Sequence, residues 1–511
     1  MRGKQLIMQV IADLQLHSKY SRAVSPQMIL PQICAWTKRK GMGLVATGDW
    51  THPLWMKEIH DNLEELGNGL LRLKPAIEER ELKMEMTNPT SALNSLPSPL
   101  FLLATEVSCI YSQGGKGRRV HTLIWVPTLA SADKINKEMT RQGCNLMSDG
   151  RPIIGLTSIQ IAELVLTIEP HALIIPAHAW TPWFSVFGSM SGFTSLEEAY
   201  GPFAKHIYAV ETGLSSNPSM NWRIKELDHR SIVSFSDAHS GPKLGRESTV
   251  FNIPDGKLSY DAIYDAISGP SLSLANKNLD PSSVSTTHTP SAQSLRESEA
   301  GQNFIRSPRN HPSISYTIEF YPEEGKYHWT GHRACNIRWG PNETAKNGTT
   351  CPVCGKPLTQ GVEQRVSELA GRSEEDLKLT VESEAVYEDG ASVNVTKSKA
   401  FPNRAPFVML VPLAEIIAEC IGSPVASPKV QIPYKGLTDA LGGEFSVLLK
   451  SSHKEIEHIA GERVAAGVDK VRRGDIVIDP GYDGVFGVVK LWREGEEKPL
   501  IDSSREQLRI L

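Results

Sequence analysis

The sequence predicts an α/β protein whose first half is a parallel sheet or barrel built from βα units. Short apolar runs alternate with amphipathic stretches through this half, which is the pattern of strands followed by helices. Several amphipathic stretches open with serine or proline, residues that favour helix starts. Since the chain has 511 residues, of which 40% are hydrophobic, it can bury a sizeable core and form more than one domain.

The apolar runs are the predicted strands, and the amphipathic stretches are the predicted helices. The predicted strands are residues 6–11, 44–46, 101–104, 123–126, 172–175, 207–210 and 232–235. The predicted helices are residues 26–40, 54–66, 158–166, 195–205, 219–229 and 258–268. Because the carboxyl ends of the strands of a βα barrel meet on one face, we expect the residues that follow these strands to lie together.

The second half of the chain changes character several times. Residues 270–314 are rich in Ser, Thr, Asn and Pro, which predicts a flexible surface insertion between a first domain, 1–269, and the rest. Residues 315–371 open with a β-like run and continue into a group of His and Cys residues. Residues 372–511 predict a small mixed α/β domain. Its predicted elements are a strand at 407–411, helices at 413–421 and 453–471, and a hairpin that pairs 476–478 with 485–490.

Charge and hydropathy narrow the possible partners. A net charge of −4 gives no global attraction to nucleic acid, so DNA binding would depend on local basic patches. Three short patches occur, at residues 38–40, 116–119 and 470–473. The first residues lack the apolar core of a signal peptide, and no other stretch is apolar for long enough to cross a bilayer. We therefore expect a cytoplasmic protein without membrane contact, whose cysteines are reduced.

Histidine and acidic residues recur at the ends of the predicted strands. They are Asp13 and His17 with Gln15 between them, Asp49, His52, Glu106, His178, Glu211, Asp237 and His239. His121 opens the fourth predicted strand and is not placed by this argument. Imidazole and carboxylate together are the ligands of first-row divalent ions, and two or three such ions clamp a phosphoryl group for attack by water. In this interpretation Glu106 bridges two ions and Asp237 supplies a hard oxygen ligand.

A second group of metal ligands lies in residues 315–371. His332 and Cys335, followed by Cys351 and Cys354, form two pairs with two residues between the members of each pair. This spacing predicts a tetrahedral structural zinc site. The glycine that follows Cys354 lets backbone amides turn toward the thiolates. His328 competes with His332 for the fourth position, and the spacing favours His332.

Residues 13–21, which read Asp-Leu-Gln-Leu-His-Ser-Lys-Tyr-Ser, resemble the opening motif of the PHP (polymerase and histidinol phosphatase) family. Other segments are similar to the endonuclease Q branch of that family. They are residues 47–53, 104–111, 120–124, 175–184, 235–240, 326–335, 411–419 and 480–487. The resemblance covers nearly the whole chain except the insertion. It implies a distorted βα barrel followed by a zinc knuckle and a mixed α/β domain, in that order.

The resemblance also implies a metal centre with two or three divalent ions, which would be zinc, manganese or magnesium. The implied ligands are His17, Asp49, His52, Glu106, His121, His178, Asp237 and His239, with Gln15 at a position where the family usually has histidine. Glu106, Asp237 and His17 would help to position the ions that activate water. The aromatic residues Trp180, Trp183 and Phe184 follow a candidate ligand directly, and they are expected either to form a nucleotide-facing wall or to pack a lid loop in the apolar interior.

The function implied by the resemblance is an endonuclease of DNA repair. It would recognise uracil, hypoxanthine, xanthine or an abasic site in damaged DNA and cut on the 5′ side of the lesion, with residues 372–511 contributing to recognition. Extruding the damaged base would give such an enzyme access and selectivity. Three alternatives remain. These are a PHP-type small-molecule phosphatase, a nuclease that acts on chain ends, and a DNA-binding relative whose catalysis is weakened by Gln15.

Overall fold

The computed structural model describes residues 7–85, 91–269, 311–386 and 390–499. Most of the predicted flexible insertion, residues 270–310, lies outside these residues. Among the helices within them, none combines the length and apolar character needed to cross a membrane.

The chain is mixed α/β. The strands are β1 Ile7–Asp13, β2 Leu44–Ala46, β3 Leu63–Glu65, β4 Leu71–Leu73, β5 Leu100–Gln113, β6 Lys116–Val126, β7 Ile153–Ile154, β8 Leu173–Pro176, β9 Ala209–Glu211, β10 Ser231–Val233, β11 Ser248–Pro254, β12 Ser313–Glu319, β13 Thr330–His332, β14 Ile337–Trp339, β15 Leu379–Ala385, β16 Ser392–Ser398, β17 Phe407–Met409, β18 Val477–Asp479 and β19 Val488–Lys490.

The helices flank these strands and dominate the C-terminal part. They are α1 Leu30–Lys40, α2 Pro53–Asn62, α3 Pro75–Glu85, α4 Leu129–Arg141, α5 Ser158–Ile168, α6 Leu196–Tyr200, α7 Pro218–Trp222, α8 Tyr260–Ser268, α9 Pro341–Asn347, α10 Val362–Leu369, α11 Leu413–Ile421, α12 Pro428–Leu441, α13 Glu444–Leu449, α14 His453–Ala460 and α15 Glu462–Arg472.

One large sheet organises the molecule. Its order is β15-β16-β17-β12-β11-β1-β2-β5-β4-β3, and β6 joins β5 to β8 beside this path. The pairs β1–β2 and β2–β5 are parallel, whereas β1–β11, β5–β6 and β6–β8 are antiparallel. The parallel pair β9–β10 lies apart, and a bridge between Leu16 and Ala238 ties the loop after β10 to the loop after β1. The strand ends that carry the candidate ligands therefore meet, although the sheet is mixed.

The predicted strands at residues 101–104 and 123–126 are paired antiparallel and not as part of a parallel sheet. The two segments belong to a long hairpin in which β5 has 14 residues and β6 has 11. The turn holds Gly114 and Gly115, both at positive φ, a conformation that glycine adopts without steric cost. Since β6 runs antiparallel to β5, His121 pairs with Ser108 in the middle of the hairpin. This pairing brings His121 to the side where the neighbouring parallel strands end.

The sheet also crosses the predicted domain boundaries. Strand β12 pairs with β11, and the hairpin β15–β16 is attached through β17. The C-terminal helices pack against α1, where the buried Lys40 ammonium lies 2.7 Å from the Glu444 carboxylate. The predicted helix 453–471 is in fact two helices, because Gly461 at φ 91° ends α14 before α15 begins.

Candidate metal centres

Three loops at the strand ends hold candidate ligands in strained backbone conformations. Asp49, His178 and Asp237 have φ values of 41°, 29° and 47°, a region that non-glycine residues rarely adopt. Such conformations persist only where the surroundings fix them, and they concentrate at functional sites. Gly213 shows how tight the packing is, since a Cβ there would lie 2.4 Å from the Cβ of His178.

His17 lies at the centre of a first group of candidate ligands. Its side chain is fully buried, and its Nε2 atom lies 3.1 Å from a Glu106 oxygen and 3.1 Å from an Asp237 oxygen. One ligand atom from each of His17, Asp237 and His239 fits within 4.8 Å of the others. Burial disfavours a charged ring, but the surrounding carboxylates, Asp49 first, raise the pKa of His17 well above its usual value.

Glu106 connects this group to a second one. Its Oε2 atom faces His17, whereas its Oε1 atom contacts His121 and lies 3.5 Å from Nε2 of His178. Glu106, His121 and His178 also satisfy the 4.8 Å spacing. Burial lowers the pKa of His121 to about 4, which favours the neutral imidazole that a metal needs. The carboxylate is therefore placed to bridge two cations.

Other buried carboxylates hold the ligands in place. Asp49 accepts a hydrogen bond from the His17 ring at 2.9 Å, and its second oxygen accepts from the backbone and hydroxyl of Ser18. Asp13 accepts from the backbone amides of Ser236 and Gly245, which fixes the loop before Asp237, and burial raises its pKa to about 6. Both Asp49 oxygens accept these hydrogen bonds, so Asp49 orients His17, and its role as a direct ligand stays a prediction.

Glu211 supports the second group in the same way. Its carboxylate accepts a hydrogen bond from the backbone amide of His178 at 2.7 Å. Burial raises the pKa of Glu211 well above its usual value. The sequence placed Glu211 at a strand end without a role, and the structure gives it a positioning role.

Gln15 occupies the position where a histidine was expected. Its Nε2 atom donates to Glu106 at 2.9 Å, and its buried Oε1 atom has no hydrogen-bond partner among the described residues. Buried polar atoms are nearly always satisfied, so this oxygen is an available acceptor for a cation. The donor set of imidazoles, carboxylates and one amide oxygen fits divalent metal ions.

Arg151 is a residue of this site that the sequence analysis missed. Its guanidinium donates to Glu106 at 3.3 Å and lies 3.3 Å from Nε2 of His17, with 25% of the side chain exposed. Arg151 lies in the loop between α4 and β7, so it does not follow a predicted strand. The only feature of the sequence that singles it out is the run Asp-Gly-Arg at residues 149–151, shortly before two isoleucines.

His52 and Trp180 lie elsewhere than predicted. The His52 ring stacks on Tyr20 at 4.4 Å and joins neither group, so its assignment as a ligand is not supported by the geometry. Trp180 is completely buried, donates to Asn221 and packs against Phe187, so its prediction as part of a nucleotide-facing wall is wrong.

The two remaining aromatic residues do border the site. Phe184 packs on the His121 ring at 4.9 Å, and the Arg119 guanidinium lies 5.6 Å from the Phe184 ring. Trp183 contacts Tyr327 edge-on at 5.5 Å, which links this loop to the segment that precedes β13. Both are only partly buried.

The second predicted metal site is assembled at the hairpin β13–β14. His332, Cys335, Cys351 and Cys354 place one ligand atom each within 4.8 Å of the others. Burial opposes ionisation of Cys351, but backbone amides of Cys354 and Val353 lower its pKa to about 6. Gly355 at φ 69° makes the turn behind these amides. His328 is buried in a separate place beside Glu363, so His332 is the histidine of this group.

Five of the nine basic side chains in the patches named from the sequence form ion pairs within the fold. Arg39 and Lys40 pair with the C-terminal helices, and Arg118 pairs with Glu198. Lys470 and Arg472 are buried, and they pair with Asp475 and Asp469. These residues stabilise the fold, and among the five named here none is free for a phosphate.

Solved structures share this fold. The crystal structure of the lesion-specific endonuclease PfuEndoQ from Pyrococcus furiosus has 28% sequence identity to this chain and a TM-score of 0.69, covering 94% of this chain and 95% of that one. The chain is endonuclease Q-like in structure. A structure of endonuclease Q with a 27-mer duplex that carries an abasic lesion at the active site gives 28% identity and a TM-score of 0.68, over 95% and 98% of the two chains.

Sequence relatives extend the comparison. The uncharacterized protein YqxK of Bacillus subtilis is 26% identical over 401 residues, which cover 77% of this chain and 79% of that protein. The uncharacterized protein MJ0043 of Methanocaldococcus jannaschii is 27% identical over 314 residues, 61% of this chain, and this match spans about a third (31%) of that protein's length. Residues 412–475, which hold α11 to α15, match the family described as the MJ0043 C-terminal domain.

Proposed function

We propose that this chain is a metal-dependent DNA endonuclease that hydrolyses the phosphodiester on the 5′ side of a lesion. The lesion would be an abasic site or a deaminated base, namely uracil, hypoxanthine or xanthine. The observation that carries the proposal is the bridging position of Glu106 between two histidine groups, in a chain with the fold of solved lesion-specific endonucleases. Damaged DNA is accordingly the proposed partner.

In this proposal the first 269 residues form a PHP-type distorted barrel, and the β5–β6 hairpin is part of the distortion. Two or three divalent ions, namely zinc, manganese or magnesium, would supply an activated water and neutralise the phosphate. His17, Asp237 and His239 would hold one of them, and Glu106 with His121 and His178 would hold another. Residues 315–371 would hold one structural zinc, and residues 372–511 would contribute to recognition of the lesion.

The protein's own groups account for orientation and charge. Asp49 fixes the ring of His17, Asp13 fixes the loop that carries Asp237, and Glu211 fixes the backbone of His178. Arg151 is partly exposed at the rim of both groups. Its guanidinium would bind a phosphate oxygen of the substrate beside the metal ligands.

The direct test is incubation of the purified protein with labelled duplexes that carry one uracil, one hypoxanthine or one abasic site, beside an undamaged duplex. Each is tested with Mg²⁺, Mn²⁺ or Zn²⁺ and with a chelator. The proposal expects a single metal-dependent nick 5′ of the lesion. Release of mononucleotides from undamaged DNA would indicate a nuclease that acts on chain ends. Turnover of phosphomonoesters without DNA cleavage would indicate a small-molecule phosphatase.

A second candidate function is a DNA-binding relative with weakened catalysis. The hydrogen bond from Gln15 to Glu106 favours it, because the amide group engages the carboxylate that would otherwise bridge two cations. This candidate expects intact binding of damaged duplex and no nick with any metal. Recovery of nicking by Gln15→His would then show that this one position limits catalysis.

A further inference from the structure

An exposed aromatic side chain lies at the turn between β18 and β19. Phe486 is 63% exposed, and the neighbouring Val485 is 39% exposed. A large apolar side chain presented to solvent on a turn has lost the burial that stabilises most phenylalanines. The ring is therefore accessible to a partner.

The turn that carries Phe486 is held rigidly. The backbone amides of Gly484 and Gly487 donate to Lys326 and Glu324, and Trp329 donates to Gly481. The Asp483 carboxylate accepts from the hydroxyl of Thr359 at 2.6 Å and from the backbone amide of Arg333 at 2.7 Å. The ring thus projects from a fixed base on the β13–β14 hairpin, so little conformational freedom would be lost when it binds.

Two cationic side chains lie at this turn, and one of them lies over the ring. The Lys326 ammonium lies 4.4 Å from the centre of the Phe486 ring, and the Arg333 guanidinium lies beside Gly484. Both side chains are exposed, and within the described residues neither forms an ion pair with an acidic side chain. In this they differ from Arg39, Lys40 and Lys470, whose charges are neutralised within the fold.

A line of aromatic residues connects this turn to the candidate metal centres. Tyr327 is next to Lys326 in the chain, contacts Trp183 edge-on and reaches the turn at Gly484. Trp183 is followed by Phe184, which packs on His121. We call Phe184, Trp183, Tyr327 and Phe486 the aromatic strip. It begins beside the candidate ligand His121 and ends at an exposed ring, with Lys326 over the ring and Arg333 at the same turn.

We propose that DNA lies along the aromatic strip and that Phe486 stacks on one of its bases while Lys326 and Arg333 bind the adjacent phosphates. Alternating aromatic and cationic side chains fit nucleic acid, because rings stack on bases of any sequence and cations bind the backbone. This inference rests on the proposed function, since it takes DNA as the partner and names the surface outside the metal centres that binds it.

The test is a series of full-length variants, each combined with Asp237→Asn so that the duplex stays intact. Binding to a fluorescein-labelled duplex with one abasic site is measured by anisotropy at several salt concentrations. The series contains Phe486→Ala, Phe486→Trp and Lys326→Ala. Val381→Ala is the matched control, because Val381 is 61% exposed on β15, away from the strip. Nicking is then measured for the same substitutions in the chain that keeps Asp237.

Stacking predicts that Phe486→Ala weakens binding by on the order of tenfold, whereas Phe486→Trp and Val381→Ala bind as the parent does. The slope of log affinity against log salt concentration should stay unchanged in Phe486→Ala. In Lys326→Ala this slope should become shallower by about one. Equal affinities of Phe486→Ala and Val381→Ala would overturn the proposal. If the parent binds duplex but nicking is absent in every chain, the endonuclease proposal fails and the binding series still decides the role of Phe486. Absence of binding in the parent overturns both.

Discussion

The two candidate metal sites of this protein are built in opposite ways. The seven ligands of the first site, which we call the deep site, come from loops and strands spread between residues 15 and 239. Four of them are buried, and three residues of their loops have positive φ values. The zinc-type site takes its four ligands from residues 332–354, and Cys354 is exposed. One site needs the whole sheet to assemble it, whereas the other is local.

This difference indicates different roles. The ligands of the deep site are oriented by buried carboxylates, which disfavour folding unless they are hydrogen-bonded or paired with cations. Buried charged groups and strained backbone both lower the stability of the fold, and sites that combine them are typically catalytic. The local site places four protein ligands around one position and leaves no coordination position for water or substrate, which is typical of a structural metal site. Changes in the deep site should therefore affect catalysis, and changes in the local site should affect stability.

The largest expected effect is on catalysis at the deep site. Asp237→Asn removes a carboxylate beside His17, and we expect nicking to fall by at least about a hundredfold. Circular dichroism and affinity for damaged duplex should stay close to the parent. Glu163→Gln on the exposed face of α5 is the control, and it should cut at the parental rate. Full activity in Asp237→Asn would remove this residue from the site.

Arg151→Gln should have the next largest effect. The substitution keeps the length of the side chain nearly constant but removes the charge, so we expect nicking to fall by on the order of tenfold to a hundredfold. The bound metal content should not fall, because a cation beside the ligands repels metal ions. Metal analysis after dialysis distinguishes this outcome from loss of a ligand, which would lower the metal content.

Asp49→Asn tests the positioning of His17. The amide cannot accept hydrogen bonds at both of its ends as the carboxylate does, so the ring is oriented less firmly. We expect metal affinity at the deep site to fall by roughly 10- to 100-fold, with activity recovered when more metal is added. Titration of activity against free Mn²⁺ measures this shift. An unchanged titration curve would show that Asp49 has no influence on the metal.

Cys351→Ala should separate the local site from the deep one. We expect loss of about one zinc per chain and a fall in melting temperature on the order of 5 °C, because the metal stabilises the β13–β14 region. The rate of nicking at saturating DNA and low temperature should change little. Zinc release and differential scanning calorimetry check the first part. A hundredfold loss of rate at that temperature would mean that the local site takes part in catalysis.

Gln15→His should have the smallest effect of these substitutions, and it should strengthen metal binding instead of weakening it. A histidine there adds an imidazole ligand and removes the hydrogen bond to Glu106. We expect metal to be retained against a chelator about tenfold better, with activity equal to the parent or higher. Chelator competition measures the retention. Weaker retention would show that the Gln15 amide is itself the better ligand in this site.

The sequence predicted some of these features well, and physical reasons explain the rest. The helix at residues 413–421 is confirmed residue for residue, because its apolar spacing and Gly422 define both its face and its end. The spacing of His332, Cys335, Cys351 and Cys354 is local, so their meeting could be expected from the sequence alone. The convergence of Glu106 with His17 was expected from the strand-end rule, although Glu106 lies inside the long strand β5 and not at its end.

Other features depend on three-dimensional packing. His121 reaches the site only because β6 runs back along β5, and a short apolar run does not reveal its direction. The sequence does not distinguish Trp180 from Trp183, yet one is buried in the core and the other lies at the edge of the site. Arg151 and the hydrogen bonds of Asp49 arise from loops whose paths follow from packing and not from periodicity.

The most direct test of the central claim is anomalous diffraction from crystals grown with zinc and soaked with Mn²⁺. The claim is that Glu106 joins two metal ions at the deep site while the four ligands at β13–β14 hold one structural zinc. We predict a zinc peak among His332, Cys335, Cys351 and Cys354, together with at least two further peaks, one on each side of the Glu106 carboxylate. A zinc peak at the local site with none beside Glu106 would contradict the account.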